Sequence, residues 1–447
     1  MTRKSSDKPL LRATAAARIF TAALITAGLS GCLGQDPGTS SRAPFSAASK
    51  GALTPGKPGT TAQTSLIIAD LSARRSALAP KGPYAEVAQA VLGASKSSAQ
   101  AQLRVARLTA KAKSKNWLPQ VGPQISLTSL GDVVTDIVFQ QILFDNGAKK
   151  AEREFAAADV EVAAVTLATE MNQTVHDGLK YYVNGLKARD QAAVAEASTA
   201  KLVEFERIMR ARVEGGLSDM SEARILSQKL AEIEATAAAD RDAAATADAQ
   251  LAALAGRSFD GLRGLGGLSL PGDPPEALSI RRAEGESART VAEAKMQRAG
   301  HLPGLTASAG VGHGKPDIGV NLGTGQLLGL GTKDTLAAIE ASKDVAARQI
   351  EKERQDAGLR IAALRAKLSA LQAKEARDAA VVSQTGAGLK MFTEQYKMGR
   401  RSLMELVNMY ESYADMARDQ AGLKYDIALI ELEMAREYGI LVDGSSI

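Results

Sequence analysis

Cysteine, histidine and aromatic residues are scarce in this chain. It has one cysteine, three histidines and one tryptophan in 447 residues, and aromatic residues make up 4% of the sequence. A single cysteine has no partner for an intramolecular disulfide. His176, His301 and His313 have no repeated carboxylate or thiol beside them, whereas a metal centre or a nucleophilic site needs several convergent ligands. We therefore predict no catalytic residues, no metal site, no cofactor and no enzymatic activity.

Proline is absent from two long stretches, between Pro123 and Pro271 and after Pro316. Because proline breaks the interior of a helix, these stretches permit very long helices. Each longer helix can reach about 95 Å. In the last arm the apolar positions from Leu403 to Ala435, many of them alanine, recur at three- and four-residue spacing. The pattern predicts two long helices with shorter returning arms: Ala148–Arg212 with Ser218–Ala255, and Lys333–Gln395 with Ser402–Tyr438.

The excess of positive charge is confined to the N-terminus. The formal net charge is +5. Residues 1–31 carry five basic residues against Asp7, which leaves the rest of the chain close to neutral. A nucleic-acid partner would need a basic surface. The sequence therefore predicts no nucleic-acid binding.

The N-terminus has the pattern of an export signal. In residues 1–31 a basic segment precedes the apolar run Ile19–Leu29, which is too short for a permanent membrane helix. The sequence Leu-Ser-Gly-Cys32 that ends it resembles the bacterial lipobox, and this resemblance implies cleavage before Cys32 and lipidation of that cysteine. The alternative is an ordinary signal peptide with a chance cysteine. We interpret residues 32–83 as the lipid anchor and a flexible tether rich in Pro, Gly and Ser.

Four landmarks recur at an offset of 183 or 184 residues, which indicates a tandem duplication of one structural unit. The matched pairs are Gly216 and Gly399, Leu118-Pro119 and Leu302-Pro303, Gly147 and Gly331, and Gly256 and Gly439. The predicted repeats are residues 84–256 and 276–439, joined by a Gly/Pro-rich linker at 257–275 and followed by a tail at 440–447. Each repeat begins with a helix, which in the first repeat is predicted over Ala85–Lys115.

Each repeat also contains a segment whose apolar residues alternate with polar ones. Val121, Ile125 and Leu127 alternate with glutamine and serine, and this two-residue period is typical of a strand with one dry and one wet face. The predicted β-hairpins are 121–143 and 304–323, and the helical hairpins that follow them are 148–255 and 333–438. Four strands are too few to close a barrel, and an open edge cannot face lipid. If the strands enter a membrane, several chains must share one barrel.

These features together resemble the outer-membrane efflux protein family, whose type member is TolC. The motifs are the lipobox, the two β-hairpin and helical-hairpin repeats, and the segment Phe144-Asp-Asn-Gly147 that closes the first strand pair. Tyr396-x-x-Gly399-x-x-Ser402, followed by Leu406 and the pair Tyr410 and Tyr413, is the most specific match. The resemblance covers the chain from about Ala85 to Gly439.

The resemblance implies a mainly α fold with a small β portion. Three chains would form a homotrimer, with a shared twelve-stranded β-barrel in the outer membrane and an α-barrel of helical hairpins in the periplasm. Members are passive exit ducts of tripartite efflux or type I secretion systems, which dock on a periplasmic adaptor protein and an inner-membrane transporter. The chain would also contact outer-membrane lipid. The alternative from a different class is a coiled-coil envelope lipoprotein without a pore, acting as a spacer or scaffold.

The resemblance also assigns a periplasmic gate at the helical tips. Tyr396 and Arg401 match the tip tyrosine and arginine that link neighbouring hairpins, and Ser221 and Glu222 match their polar partners on the first hairpin. The alternative for Arg401 is an ordinary pair with the residue four positions on, on a solvated helix face.

Two further sets of positions follow from the resemblance. Glu405 and Asn408 lie where the family often places acidic rings that line the pore, and Asn408 departs from the acidic residue expected there. Gly216 and Gly399 occupy the turns at the helix tips.

Overall fold

The computed structural model describes residues 65–127, 133–311, 317–327 and 329–446. The predicted signal peptide, Cys32 and residues 33–64 lie outside these ranges, so their assignments stay predictions. The helices are α1 Leu66–Ala73, α2 Pro83–Ala94, α3 Ser98–Lys113, α4 Ala148–Glu214, α5 Met220–Ala255, α6 Leu278–Gly300, α7 Thr332–Lys397 and α8 Leu403–Glu437, and a short 3-10 helix covers Gly444–Ser446. The strands are β1 Gln120–Leu127, β2 Val133–Phe144, β3 Pro303–Val311 and β4 Asp317–Thr324.

From α3 and from α6 onward, the two halves of the chain have the same order of elements: a helix, a β-hairpin, a very long helix and a shorter return helix. α4 has 67 residues and α7 has 66, while α5 has 36 and α8 has 35. Gly256 directly follows α5 and Gly439 lies two residues after α8, with φ of 70° and 63°. Glycine is favoured at such left-handed positions because it has no Cβ. The mainly α fold with a small β portion that we predicted is confirmed.

The prediction of one helix over Ala85–Lys115 is wrong, because non-helical residues separate α2 from α3. The Ser97 side chain accepts a hydrogen bond from the backbone N–H of Gln100 at 3.4 Å and caps α3. Serine favours such caps because its hydroxyl satisfies an otherwise free N–H of the first turn.

Residues 65–82 were assigned to the tether, but they are packed and partly helical. Leu71 of α1 is 1% exposed, and Leu78 forms a β-bridge with Leu268 of the inter-repeat linker. The buried Arg74 donates to the backbone oxygens of Tyr438 at 2.6 Å and of Glu276 at 2.9 Å. One guanidinium therefore joins this segment to the beginning and the end of the second repeat.

The segment 440–447 was predicted to be a tail, and its first residues are instead part of the core. Ile440, Leu441 and Val442 are at most 4% exposed. They pack with residues of α2, α4 and α8 in the largest apolar cluster. The backbone N–H of Leu441 also donates to the Asn172 side chain of α4 at 2.8 Å.

The strands form one antiparallel sheet in the order β1-β2-β3-β4. Its central pair, β2 with β3, joins the first repeat to the second. Within the described ranges, no helix is both long enough and apolar enough to cross a membrane.

Candidate channel wall and helical tips

The sheet has one apolar face and one polar face. Residues paired across antiparallel strands share a face, so the register divides the side chains into two sets. The first set is mostly apolar: Val121, Pro123, Ile125, Thr135, Ile137, Phe139, Gln141, Pro303, Leu305, Ala307, Ala309, Val311, Ile318, Val320, Leu322 and Thr324. The opposite set is mostly small or polar, with Val138 and Ile142 as its apolar members: Gln120, Gly122, Gln124, Asp136, Val138, Gln140, Ile142, Gly304, Thr306, Ser308, Gly310, Asp317, Gly319, Asn321 and Gly323.

The apolar face is not covered by the residues that the structure describes. Val320 is 61% exposed and Leu322 is 73% exposed, and Val121 on the far strand is 58% exposed. Within the described residues, β1 and β4 each pair on one side only. The sheet therefore has one exposed apolar face and two unpaired edges.

At the other end of each helical hairpin, the same turn closes both tips. Gly216 and Gly399 have φ of 69° and 72°. After α4 the Leu217 N–H donates to the Arg212 oxygen at 2.7 Å, and after α7 the Arg400 N–H donates to the Gln395 oxygen at 2.9 Å. This is a helix-ending turn that depends on a left-handed residue, which explains the glycines.

The return helices are capped by side chains. Asp219 accepts a hydrogen bond from the Ser221 N–H at 3.3 Å, and this bond lowers the pKa of Asp219. Ser402 accepts from the Glu405 N–H at 3.1 Å, while the Glu405 carboxylate accepts from the Ser402 N–H at 3.0 Å. This reciprocal capping box fixes where α8 begins.

An apolar cluster holds the two tips of one chain together. Its buried members are Leu202, Phe205 and Met209 of α4, Leu226, Leu230 and Ile233 of α5, and Leu403, Leu406 and Val407 of α8. The rings of Phe205 and Tyr410 meet edge to face with 5.8 Å between centroids. The start of α8 is thus packed against the first hairpin.

Tyr396 lies at the edge of this cluster, whereas Arg401 contacts its own hairpin. The Arg401 guanidinium is 3.5 Å from Glu405, donates to the Gln395 side chain at 3.2 Å and lies 4.9 Å from the centroid of the Phe392 ring. Among the described residues of one chain, no hydrogen bond joins Arg401 to Ser221 or Glu222. The local pair that we weighed as the alternative is therefore present.

The two proposed ring positions lie on the exposed side of α8. Glu405 and Asn408 are both exposed and are three residues apart, so they share one helix face. The Glu405 carboxylate is already engaged by the Ser402 N–H at 3.0 Å and by Arg401 at 3.5 Å.

Two charged pairs between α5 and α8 were missed by the sequence reasoning. Arg418 donates to both carboxylate oxygens of Asp240, at 2.7 and 2.6 Å, and Asp240 is only 6% exposed. This hydrogen bonding raises the pKa of Arg418. Nearer the tips, Lys229 forms an ion pair with Glu411. In the sequence, Asp240 is a charged residue at a helix-contact position whose neighbouring contact positions are alanines. This feature could have been used to predict its role.

The described residues contain no group of three or more metal-ligating side chains. His176 is the one buried histidine among them, and its Nε2 lies 2.9 Å from the Glu433 carboxylate. Burial lowers the pKa of His176, although the nearby carboxylate acts in the opposite direction.

The architecture of long helical hairpins below a small two-faced sheet is that of a known class of outer-membrane channels. No protein-family profile and no curated protein matches the sequence. The outer membrane protein VceC of Vibrio cholerae is 17% identical, with a TM-score of 0.68 over 80% of this chain and 96% of VceC. The outer-membrane channel OprN is 17% identical, with a TM-score of 0.69 over 82% of this chain and 93% of OprN.

The outer membrane channel CmeC of Campylobacter jejuni is 12% identical, with a TM-score of 0.65 over 81% of this chain and 86% of CmeC. The chain therefore has the fold of these outer-membrane channels. The resemblance that we stated from the sequence motifs is confirmed at the level of the fold.

Proposed function

We propose that the chain is one protomer of a passive exit duct in the outer membrane. The observation that carries this proposal is the sheet with one apolar face and two unpaired edges. An apolar outer face and a polar inner face are typical of a transmembrane barrel wall. Unpaired edges are not tolerated in lipid. Four strands from each of three copies would give a closed barrel of twelve strands.

The exposure of α7 supports assembly with other copies. α4 and α7 are nearly equal in length, yet α4 has 24 buried residues and α7 has three. Val345 and Leu359 of α7 are 66% and 70% exposed. Because long helices depend mainly on packing for their stability, we assign the open face of α7 to contact with a neighbouring protomer.

The helical tips are the gate of the proposed duct. Within one chain Arg401 contacts its own hairpin, so we place its contact with Ser221 and Glu222 between neighbouring protomers. Tyr396 would join this contact, and Glu405 with Asn408 would line the narrow end. A periplasmic adaptor that docks on the tips would favour the open state, and an inner-membrane transporter would supply the energy.

The proposed duct has two attachments to the outer membrane, the sheet and the lipid on Cys32. In a spacer lipoprotein without a pore, the lipid alone would hold the chain. A spacer function also gives no reason for a β-hairpin to occur at equivalent positions of both repeats. The two functions therefore differ in what remains of membrane attachment after the lipid is removed.

The experiment is to express the chain from residue 33 behind an ordinary cleavable signal peptide, which omits Cys32. Outer membranes are then washed with alkaline carbonate, and the detergent extract is analysed by native mass spectrometry. We expect the protein to stay in the membrane and to be a trimer. Release by the wash, together with a monomeric mass, would contradict the proposal and favour the spacer.

A further inference from the structure

The segment that leads into β1 has an unbalanced charge. From Lys96 to Leu127 the chain carries six basic residues and no acidic residue. Arg104, Arg107 and Lys111 of α3 lie at positions that share one helix face. Together with Lys115, just past the end of α3, they form a set that we call the basic stripe.

The basic stripe has no counterpart of opposite charge in the described part of the chain. Its four side chains are exposed, and no ion pair involves them. Lys113, by contrast, pairs with Glu152 of α4 at 3.1 Å. The packed side of α3 is formed by Ala99, Leu103 and Ala106, so folding does not explain why the basic stripe is there.

The duplicated counterpart of α3 shows that a helix at this place needs no unpaired charge. In α6 the basic residues alternate with acidic ones. At the offset of 184 residues Lys111 corresponds to Lys295, which pairs with Glu154 of α4 at 2.7 Å, and Arg107 corresponds to the uncharged Val291. The unpaired charge is thus a property of the first repeat alone, which points to a partner outside the chain.

The position of the basic stripe indicates the chemistry of that partner. α3 ends at Lys113, and β1 begins with Gln120, next to the apolar face of the sheet. Between them Trp117 is 53% exposed and Leu118 is 42% exposed. An exposed tryptophan is typical of the boundary between the apolar core of a membrane and water.

We propose that the basic stripe binds the phosphate groups of anionic phospholipids, in the membrane leaflet next to the helices. The inference rests on the proposed function, because that function places the sheet in a membrane. The long Lys and Arg side chains can extend along the helix toward the headgroup layer while their charges stay in water. Each basic residue near an anionic surface strengthens binding by about five-fold.

The test compares lipids retained by the trimer. The variant Arg107→Gln/Lys111→Gln/Lys115→Gln removes the charges nearest the sheet. A matched control removes three exposed charges that lie far from the sheet and outside α7, and that form no ion pair among the described residues: Lys81→Gln/Lys180→Gln/Arg263→Gln. All three proteins are placed in nanodiscs of phosphatidylcholine with a minor fraction of phosphatidylglycerol, and native mass spectrometry measures which lipids remain bound.

We expect the unmodified protein and the control to retain phosphatidylglycerol above its share of the nanodisc. The enrichment should be at least about five-fold lower for the variant. High salt should weaken the enrichment, since it screens exposed charges. Equal retention by all three proteins would overturn the inference. Dissociation of the variant trimer alone would also overturn it, because the basic stripe would then belong to a contact between copies.

Failure of the proposed function gives a different result. A protein that does not insert even into neutral phosphatidylcholine is not a membrane duct. A protein that inserts as a trimer and retains both lipids in proportion to their supply keeps the proposed function and overturns only this inference.

Discussion

At the scale of single residues, a few polar groups fix how the alanine-rich helices align. Small side chains let helices approach closely, but they give little to distinguish one register from another. The Arg418–Asp240 pair does favour one register, because the guanidinium donates to both carboxylate oxygens and so requires one alignment of the helices. It joins α5 of the first repeat to α8 of the second.

We expect Asp240→Ala to lower the free energy of unfolding by about 2 kcal/mol, because the half-buried Arg418 loses two charged hydrogen bonds and keeps only Asp419, at 3.9 Å. The matched control is Asp242→Ala, an exposed residue on the same helix, with an expected effect within about 0.5 kcal/mol. Denaturant unfolding of the two variants measures the difference. Equal stabilities would show that the pair does not hold the hairpins together.

His176 makes the stability dependent on pH. Burial lowers its pKa below the usual 6.5, so the unfolded chain binds the proton at a higher pH than the folded chain does. The contribution is therefore fully present above pH 6.5 and is lost as the pH falls through 6.5 toward the folded pKa. We expect the melting temperature of the unmodified protein to fall between about pH 7.5 and about pH 5.5. The melting temperature of His176→Gln should fall less over the same range. Parallel pH profiles would contradict this.

At the scale of secondary structure, local sequence features were sufficient to predict the strands and the long helices. Alternation in β1, the absence of proline from α4 and α7, and the three- and four-residue spacing in α8 are all local features of the sequence. The elements that were missed depend on distant partners. α1 packs because Arg74 reaches Tyr438 and Glu276, and residues 440–442 are buried against α2 and α4. Neither contact leaves a local sequence pattern.

The tip turn and the helix interior should respond in opposite ways to the loss of glycine. Gly399 has φ of 72°, and an alanine there is expected to cost about 1 kcal/mol. Gly388 lies inside α7, and a Cβ at that position would meet nothing within 4 Å. Gly388→Ala should therefore stabilise the protein by up to about 1 kcal/mol. Thermal unfolding of both variants is the measurement, and a shift of the same sign in both would contradict the account.

The two faces of the sheet predict opposite tolerance of a charge. Val320 and Asn321 are neighbours on β4, with Val320 on the apolar face and Asn321 on the polar face. A lysine on the lipid side of a barrel costs about 2–4 kcal/mol near the middle of the bilayer. We expect Val320→Lys to impair insertion into liposomes and Asn321→Lys to insert normally. The reverse order would mean that the faces are assigned wrongly.

At the scale of the whole molecule, the sequence located the tips but not all of their contacts. The glycine turns and the Ser402 cap follow from local chemistry. The partners of Arg401 depend on side-chain conformation, and in one chain they are Gln395, Phe392 and Glu405. Because the proposed gate lies between chains, its contacts are a property of the assembly and not of one hairpin.

The gate should open when its polar contacts are removed. The exposed Arg401–Glu405 pair contributes no more than about 1 kcal/mol in one chain, but small biases in three coupled copies combine to shift the closed–open equilibrium. We expect Arg401→Ser with Tyr396→Phe to raise conductance and leave trimer stability unchanged. Arg400→Ser, which removes the neighbouring exposed charge, is the matched control and should behave like the unmodified protein.

Single-channel recording in planar lipid bilayers tests the central claim most directly. We predict discrete channels of low conductance for the purified protein and for Arg400→Ser, and larger, longer openings for the double variant. Identical conductance and open probability for the double variant would show that the tip residues do not gate the pore. A purified trimer that inserts into the bilayer and passes no current, even as the double variant, would contradict the proposal that this protein is an outer-membrane duct.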